Sequence, residues 1–70
     1  MTIHYDSTTD LLYLRLDPSS QEVTNKQVSE DITLDMGVGD KIVGIEILDA
    51  SKKVSLADLL PLNYEFKKAS

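Results

Sequence analysis

Three short runs of this sequence alternate between apolar and polar residues, and that alternation constrains the fold more than any other feature. The runs cover residues 11–16, 32–36 and 41–48. A period of two is typical of a β-strand, because successive side chains point to opposite faces of a sheet. Short turns rich in Asp, Ser, Pro and Gly border these runs, so antiparallel pairing is expected. Run 41–48 is the most apolar and is predicted to lie centrally.

Two further runs have weaker strand patterns. Residues 1–5 alternate, with Ile3 and Tyr5 on one side, and predict a first strand. Residues 22–29 contain only Val23 and Val28 as apolar residues. We interpret this second run as an exposed edge strand, because polar side chains discourage open pairing at a sheet edge.

The pattern changes to a helical one in the last third of the chain. Ser55 can begin a helix, and Asp58 three positions later resembles the acidic member of a capping box. Pro61 disfavours helix at the residue before it. These signals predict one short helix over 54–60, after which residues 61–70 alternate again.

Together these patterns predict an α+β fold that is mainly β. The expected architecture is an antiparallel meander sheet of four to five strands with one short C-terminal helix. The predicted parts are a single domain over 1–70, the β-meander over 1–49, the helix over 54–60, and a tail over 61–70 that could add a strand. On this sheet Leu14, Leu34 and Ile45 are expected to be buried together.

The chain has 70 residues and no cysteine, which limits how it can be stabilised. A domain of this size buries only about 60% of the surface of its unfolded chain, so its core is marginal. Disulfides and thiolate metal sites are excluded, and His4 is the one histidine. We therefore expect stabilisation by a protein partner or by a homodimer, with idealised packing of the single chain as the alternative.

The net charge of −5 restricts the class of partner. Phosphate backbones repel an acidic protein, so direct nucleic-acid binding is not expected, whereas a basic surface attracts it. The start of the chain lacks the basic and apolar segments of a signal peptide, and no run approaches the length of a membrane span. A cytoplasmic location without membrane contact is expected.

Four apolar residues fall on strand faces that the alternation assigns outward: Leu11, Tyr13, Ile42 and Leu48. A sheet covered on one side should carry polar residues there. We favour a second small core under the helix or the tail, because a strand buried on both faces is continuously apolar, as run 11–16 nearly is. An association surface is the alternative.

The residues that could carry catalysis are better explained by structure. No serine is placed to act with His4 as a nucleophile and base. Asp6 and Asp10 flank a turn and are interpreted as turn-capping residues. Glu46 is expected to pair across strands, with Arg15 or a lysine. We predict no enzymatic activity, no cofactor and no metal site.

Four segments resemble a widespread family of small prokaryotic proteins known only as a domain of unknown function. The segments are Ile3-His4-Tyr5-Asp6, Asp10-Leu11-Leu12-Tyr13-Leu14-Arg15-Leu16, Ile32-Thr33-Leu34-Asp35 and Val43-Gly44-Ile45-Glu46-Ile47-Leu48-Asp49-Ala50-Ser51. The resemblance implies a small β-rich fold with no established activity. Members carry a more acidic turn at positions 36–40, so no cation site is implied here. Genes of the family are reported beside those of small ribonuclease-like toxins, which implies an antitoxin or similar role.

We therefore predict a non-enzymatic protein-interaction module, such as an antitoxin-like partner of a small basic ribonuclease-like toxin. The alternative is a small ligand-binding or regulatory domain without a toxin partner. Acidic residues and one aromatic anchor are the expected contacts, since aromatic residues are enriched at binding hot spots. The candidates are Tyr13, Glu22, Glu30, Asp31, Asp35 and Glu46.

Overall fold

The computed structural model describes residues 1–19 and 21–61. In this part of the chain it contains five strands, two α-helices and one 3₁₀ turn. They are β1 (Thr2–Asp6), β2 (Leu11–Arg15), β3 (Thr24–Gln27), β4 (Ile32–Met36), a 3₁₀ turn (Val38–Asp40), β5 (Ile42–Ile47), α1 (Ala50–Lys53) and α2 (Leu56–Leu59). The extra strand considered for the tail falls on residues 62–70, outside the described part.

The strands form one antiparallel sheet in the order β1-β2-β5-β4-β3. The predicted α+β class, with mainly β structure, is confirmed. The central position of β5 and the exposed edge position of β3 are also as predicted. The strand order differs from a simple meander, because β2 pairs with β5 and not with β3. The apolar strand β5 thus gains a neighbour on each side, while polar β3 stays at the edge.

The register divides the sheet into two faces. On one face Leu12 lies opposite Ile47, which lies opposite Ile32 on the next strand. Both helices contribute apolar side chains to the cluster around Leu12, so we call this the helix-side face. The other face, which we call the open face, carries the row His4, Tyr13, Glu46, Thr33 on adjacent strands.

The core centres on one end of the helix-side face. Among the described residues the buried apolar side chains are Leu12, Val43, Ile47 and Ala50, and all but Val43 belong to one cluster. Leu14, Leu34 and Ile45 are cross-strand neighbours as predicted, but they are only half-buried. The helices contain four residues each, and Val54, Leu56 and Leu59 pack against the cluster of Leu12, Ile47 and Ala50.

Two short helices replace the one predicted over 54–60. The second begins after Ser55, as expected, and the Ser55 Oγ lies 3.0 Å from the Asp58 Oδ2. The first, Ala50–Lys53, was not predicted, because the side chain that caps its N-terminus belongs to a residue far away in the sequence, described below. Neither helix of the described chain is long and apolar enough to cross a membrane.

Candidate functional site

The open face is the part of the sheet that α1 and α2 do not cover, since both helices pack on the other side. At its centre Tyr13 of β2 has Glu46 of β5 as its cross-strand neighbour. One row along, Arg15, Gly44 and Asp35 lie side by side on β2, β5 and β4. The face therefore combines an aromatic ring with carboxylates from two different strands.

Tyr13 lies across Gly44 to reach Asp35. Its hydroxyl donates a hydrogen bond to the Asp35 Oδ2 at 2.8 Å. A Cβ atom at position 44 would lie only 2.6 Å from the Tyr13 Cζ, so the ring occupies the space that a side chain would fill. Gly44 is buried beneath it. Glycine in a strand marks such a close approach, and the ring fills the gap.

The strand geometry next to Gly44 is irregular. Asp35 pairs with Gly44, but the next residue, Met36, pairs with Ile42. Val43 is therefore an extra residue in β5, and its carbonyl accepts backbone hydrogen bonds from Leu16 at 2.8 Å and Asp17 at 3.1 Å. Such bulges redirect neighbouring side chains.

The Tyr13 hydroxyl is held in its protonated form. Partial burial of the ring, followed by the hydrogen bond to the Asp35 carboxylate, raises the pKa of Tyr13 above its ordinary value. At neutral pH the hydroxyl therefore remains a hydrogen-bond donor to the Asp35 side chain.

The structure brings together three of the six predicted contact residues. Tyr13, Asp35 and Glu46 share the open face. Asp31 instead forms an ion pair with Lys53 of α1, with the Lys53 Nζ 3.1 Å from the Asp31 Oδ2. The other two, Glu22 and Glu30, are exposed and lie before and after the edge strand β3.

The expected pairing of Glu46 with Arg15 does not occur. The Arg15 guanidinium donates to the carbonyl oxygens of Asp17 at 2.6 Å and of Ser19 at 3.0 Å. This turn lies directly after β2 in sequence. The Arg15 cation also acts on Tyr13, where it partly offsets the rise in the pKa of the hydroxyl. The ion pair Lys53–Asp31 does not involve Glu46 either.

The prediction that the four outward apolar residues form a second small core under the helix is wrong. Both helices pack against the cluster around Leu12, on the face opposite to that of Leu11 and Tyr13. The bulge pairs Ile42 with Met36 and so turns it to the helix-side face. Ile42 and Leu48 are 43% and 42% exposed, and Leu11 and Tyr13 are half-buried. The other form of the prediction places these residues under the tail. It concerns residues 62–70, which lie outside the described part of the chain.

A second cluster, centred on Asp10, connects distant parts of the chain. The Asp10 carboxylate accepts hydrogen bonds from the Tyr5 hydroxyl at 2.7 Å, the Ser51 hydroxyl at 2.7 Å and the Ser51 backbone N–H at 3.1 Å. Its carbonyl accepts the Ala50 N–H at 2.9 Å. Asp49 is the N-cap residue of α1, but its side chain makes no capping hydrogen bond. Asp10 supplies that side-chain cap instead.

Asp10 therefore has a wider structural role than the turn capping predicted for it. Asp6 does cap the turn, since its Oδ1 accepts the Thr8 N–H at 2.9 Å. Asp10 and Asp49 both adopt left-handed backbone conformations, with φ of 56° and 52°. Sequence reasoning missed the contact because the two partners Asp10 and Ser51 are 41 residues apart.

The Asp10 cluster predicts a specific acid sensitivity. Hydrogen bonds from Ser51, and then from Tyr5, lower the pKa of Asp10 below its ordinary value of 3.8. A carboxyl whose folded-state pKa is lowered contributes stability above the unfolded pKa and loses it as the pH falls through the folded pKa. Asp10→Asn should lower the Tm at pH 7, and this difference from wild type should shrink below pH 3.8.

Thermal unfolding followed by circular dichroism between pH 7 and pH 2 measures this effect. Ser51→Ala is the matched variant, because it removes the hydroxyl that donates to Asp10. Asp10→Asn should therefore lower the Tm by less in the Ser51→Ala background than in the wild type. A Tm difference that stays constant over the whole pH range would contradict the assigned role of the Asp10 charge.

The described residues contain no group of three or more His, Cys, Asp or Glu side chains arranged to hold a metal ion. A shallow cavity of about 390 Å³ lies beside β1. Its lining residues are Ile3, His4, Tyr5, Asp6, Leu11 and Tyr13.

The fold and the site define a small α+β domain with one antiparallel sheet, helices on one face and an acidic, aromatic open face. A family model described as "protein of unknown function (DUF2283)" matches residues 2–51, and the chain belongs to this family. The match includes every strand and both ends of the Asp10–Ser51 contact. No curated protein and no solved structure gives a significant match.

Proposed function

We propose that this protein is a non-enzymatic module that binds a basic protein partner through its open face. The observation that carries the proposal is the Tyr13 ring laid over Gly44, between carboxylates of β4 and β5. Packing over glycine and the hydrogen bond to Asp35 hold the ring in one orientation, so little side-chain freedom is lost on binding. A preorganised aromatic side chain is a typical binding hot spot.

The charge of the open face favours a basic partner. Asp35 and Glu46 contribute negative charge near the ring, while the Arg15 guanidinium is directed to the carbonyls of Asp17 and Ser19. The whole chain has a net charge of −5, which extends the same field beyond the face. Complementary fields of this kind accelerate association and make it sensitive to salt.

The particular form we propose is an antitoxin for a small basic ribonuclease-like toxin, acting in the cytoplasm. A toxin that grips RNA needs a basic surface for the phosphates, and an acidic open face can cover that surface. The resemblance to the family, with its reported gene neighbourhood, implies the same role.

The proposal assigns no catalytic role to the two carboxylates near the first turn, because both make structural contacts. Asp6 holds the Thr8 N–H, and Asp10 holds Tyr5 and Ser51. Hydrogen bonds from the Thr8 backbone and the Thr9 side chain lower the pKa of Asp6, and hydrogen bonds from Ser51 and Tyr5 lower that of Asp10. Neither group is therefore poised to exchange a proton near neutral pH.

The test uses the product of a small basic gene adjacent to the gene for this domain. Expressed alone, that product should arrest growth, and co-expression of this domain should restore it. Titration of the labelled domain with the purified product should shift the backbone NMR signals of Tyr13, Asp35 and Glu46 more than those of Lys53 and Asp58. A non-toxic product, or one that the domain does not bind, would contradict the antitoxin form and favour a small-ligand function.

A further inference from the structure

The two edges of the sheet differ in how well they are protected from pairing with another strand. β3 has four residues, all exposed, and includes Lys26. Polar, short and charged edges of this kind resist further pairing. Within the described residues, β1 pairs only with β2, and it does so over five residues without a register shift. It contains neither proline nor lysine, so its outer edge presents backbone groups suited to strand addition.

We infer that the outer edge of β1 binds a second copy of this chain. The two β1 strands pair antiparallel about a two-fold axis that passes beside His4, and the sheets of the two copies become continuous. An interface of this kind is isologous, which means that each strand supplies the same residues, and two-fold dimers are the commonest closed assemblies.

The register follows from the alternation within β1. Antiparallel pairing keeps each face consistent only when residues of the same face lie opposite each other, because a shift by one residue exchanges the faces. Three symmetric registers satisfy this condition, centred on Ile3, His4 or Tyr5. Only the register centred on His4 pairs the whole of Thr2–Asp6, and it therefore forms the most backbone hydrogen bonds.

That register also matches side chains of similar character. Ile3 of one copy lies opposite Tyr5 of the other on the helix-side face, and both residues already pack against the cluster around Leu12. Aromatic and β-branched side chains form favourable cross-strand pairs. Tyr5 is fixed in place by its 2.7 Å hydrogen bond to Asp10, so it is prepared for this contact.

A second copy fits this edge better than an unrelated strand for two reasons. The strand is complementary to itself in the register above, and the core of the described residues has only four buried apolar side chains. Joining two helix-side faces lengthens the apolar cluster of each copy, which a marginal domain needs.

The inferred dimer is compatible with the proposed function and independent of it. Asp35 and Glu46 lie on β4 and β5, which β2 separates from β1. Pairing through β1 therefore leaves that part of the open face accessible in both copies.

Single-cysteine variants test the pairing directly, because the natural chain has no cysteine. Residues directly opposite in an antiparallel pair have Cα atoms about 4.5–5.5 Å apart, a distance that a disulfide spans. His4→Cys should therefore form a disulfide-linked dimer under mild oxidation. Thr2→Cys is the control on the same strand and face. In the inferred register the two copies of residue 2 are four residues apart, roughly 13 Å along the strand, which is too far for a disulfide.

Asn25→Cys on β3 is the second control, and the three variants are compared under identical conditions. We expect crosslinking of His4→Cys to exceed that of either control by at least about tenfold, since only its Cα separation fits a disulfide. Sedimentation equilibrium of the wild-type protein at micromolar concentration should give twice the chain mass. A wild-type monomer mass, or equal crosslinking of all three variants, would overturn the inference, as would crosslinking of Thr2→Cys in place of His4→Cys.

Discussion

Leu12→Ala is expected to destabilise the domain by about 2–5 kcal/mol, the range for cavity-forming changes at buried leucines. Leu12 is fully buried and forms the centre of the cluster with Ile47 and Ala50. A total stability of about 5–15 kcal/mol is typical of natural domains, and small ones are at the lower end. The variant should therefore contain a substantial unfolded population at room temperature.

Urea unfolding followed by far-ultraviolet circular dichroism measures this change. Val38→Ala is the matched control, because Val38 is 77% exposed and its truncation should change stability by no more than about 0.5 kcal/mol. Leu14→Ala should cost less than Leu12→Ala, because Leu14 is only half-buried. If Leu14→Ala costs as much as Leu12→Ala, the core is centred where the sequence alone suggested and not where the helices place it.

Gly44→Ala is expected to destabilise the domain by about 1–3 kcal/mol, the usual cost of overpacking. The added methyl group would collide with the Tyr13 ring and displace it from the sheet, which breaks its hydrogen bond to Asp35. In a strand that carried no ring above it, the same substitution should stabilise the domain by about 0.5–1 kcal/mol, because glycine loses more backbone freedom on folding.

The sign of the Gly44→Ala effect should therefore depend on Tyr13. In a Tyr13→Ala background the substitution should become neutral or stabilising, whereas in a Tyr13→Phe background it should remain destabilising. A double-mutant cycle on unfolding free energies measures this coupling. Equal costs of Gly44→Ala in all three backgrounds would show that the ring does not lie over Gly44.

Local sequence patterns were sufficient to predict the strands. The alternation that marks β4 and β5 reflects burial of one face, and the polar run before residue 30 marks β3 as an edge. The pairing of β2 with β5 was not predictable in the same way. A meander needs only neighbouring strands to pair, whereas this pairing joins residues such as Leu12 and Ile47 across two intervening strands.

The candidate site was predicted only in part, for a related reason. Tyr13, Asp35 and Glu46 were chosen for their chemistry, and the pairing of β2, β5 and β4 then placed them on one face. The role of Gly44 depends on the direction in which one ring lies, which alternation does not specify. The ion pair of Asp31 with Lys53 likewise depends on α1, which local signals did not reveal.

In the proposed function the two faces of the sheet have separate roles. The helix-side face holds the fold together through Leu12, Ile47 and Ala50. The open face carries the Tyr13 ring, held by Asp35, and the carboxylate of Glu46, and none of these belongs to the core cluster. In the proposed function these side chains contact the partner.

The most direct test of the central claim is the rate constant for association with the basic product of the adjacent gene, measured for the wild-type domain, Glu46→Lys and Glu30→Lys. Both variants change the net charge by the same amount, but only Glu46 lies on the open face beside Tyr13. We expect Glu46→Lys to slow association by at least about tenfold at low salt, and Glu30→Lys to slow it by less than about threefold. Equal rate constants for the two variants would contradict binding through the open face.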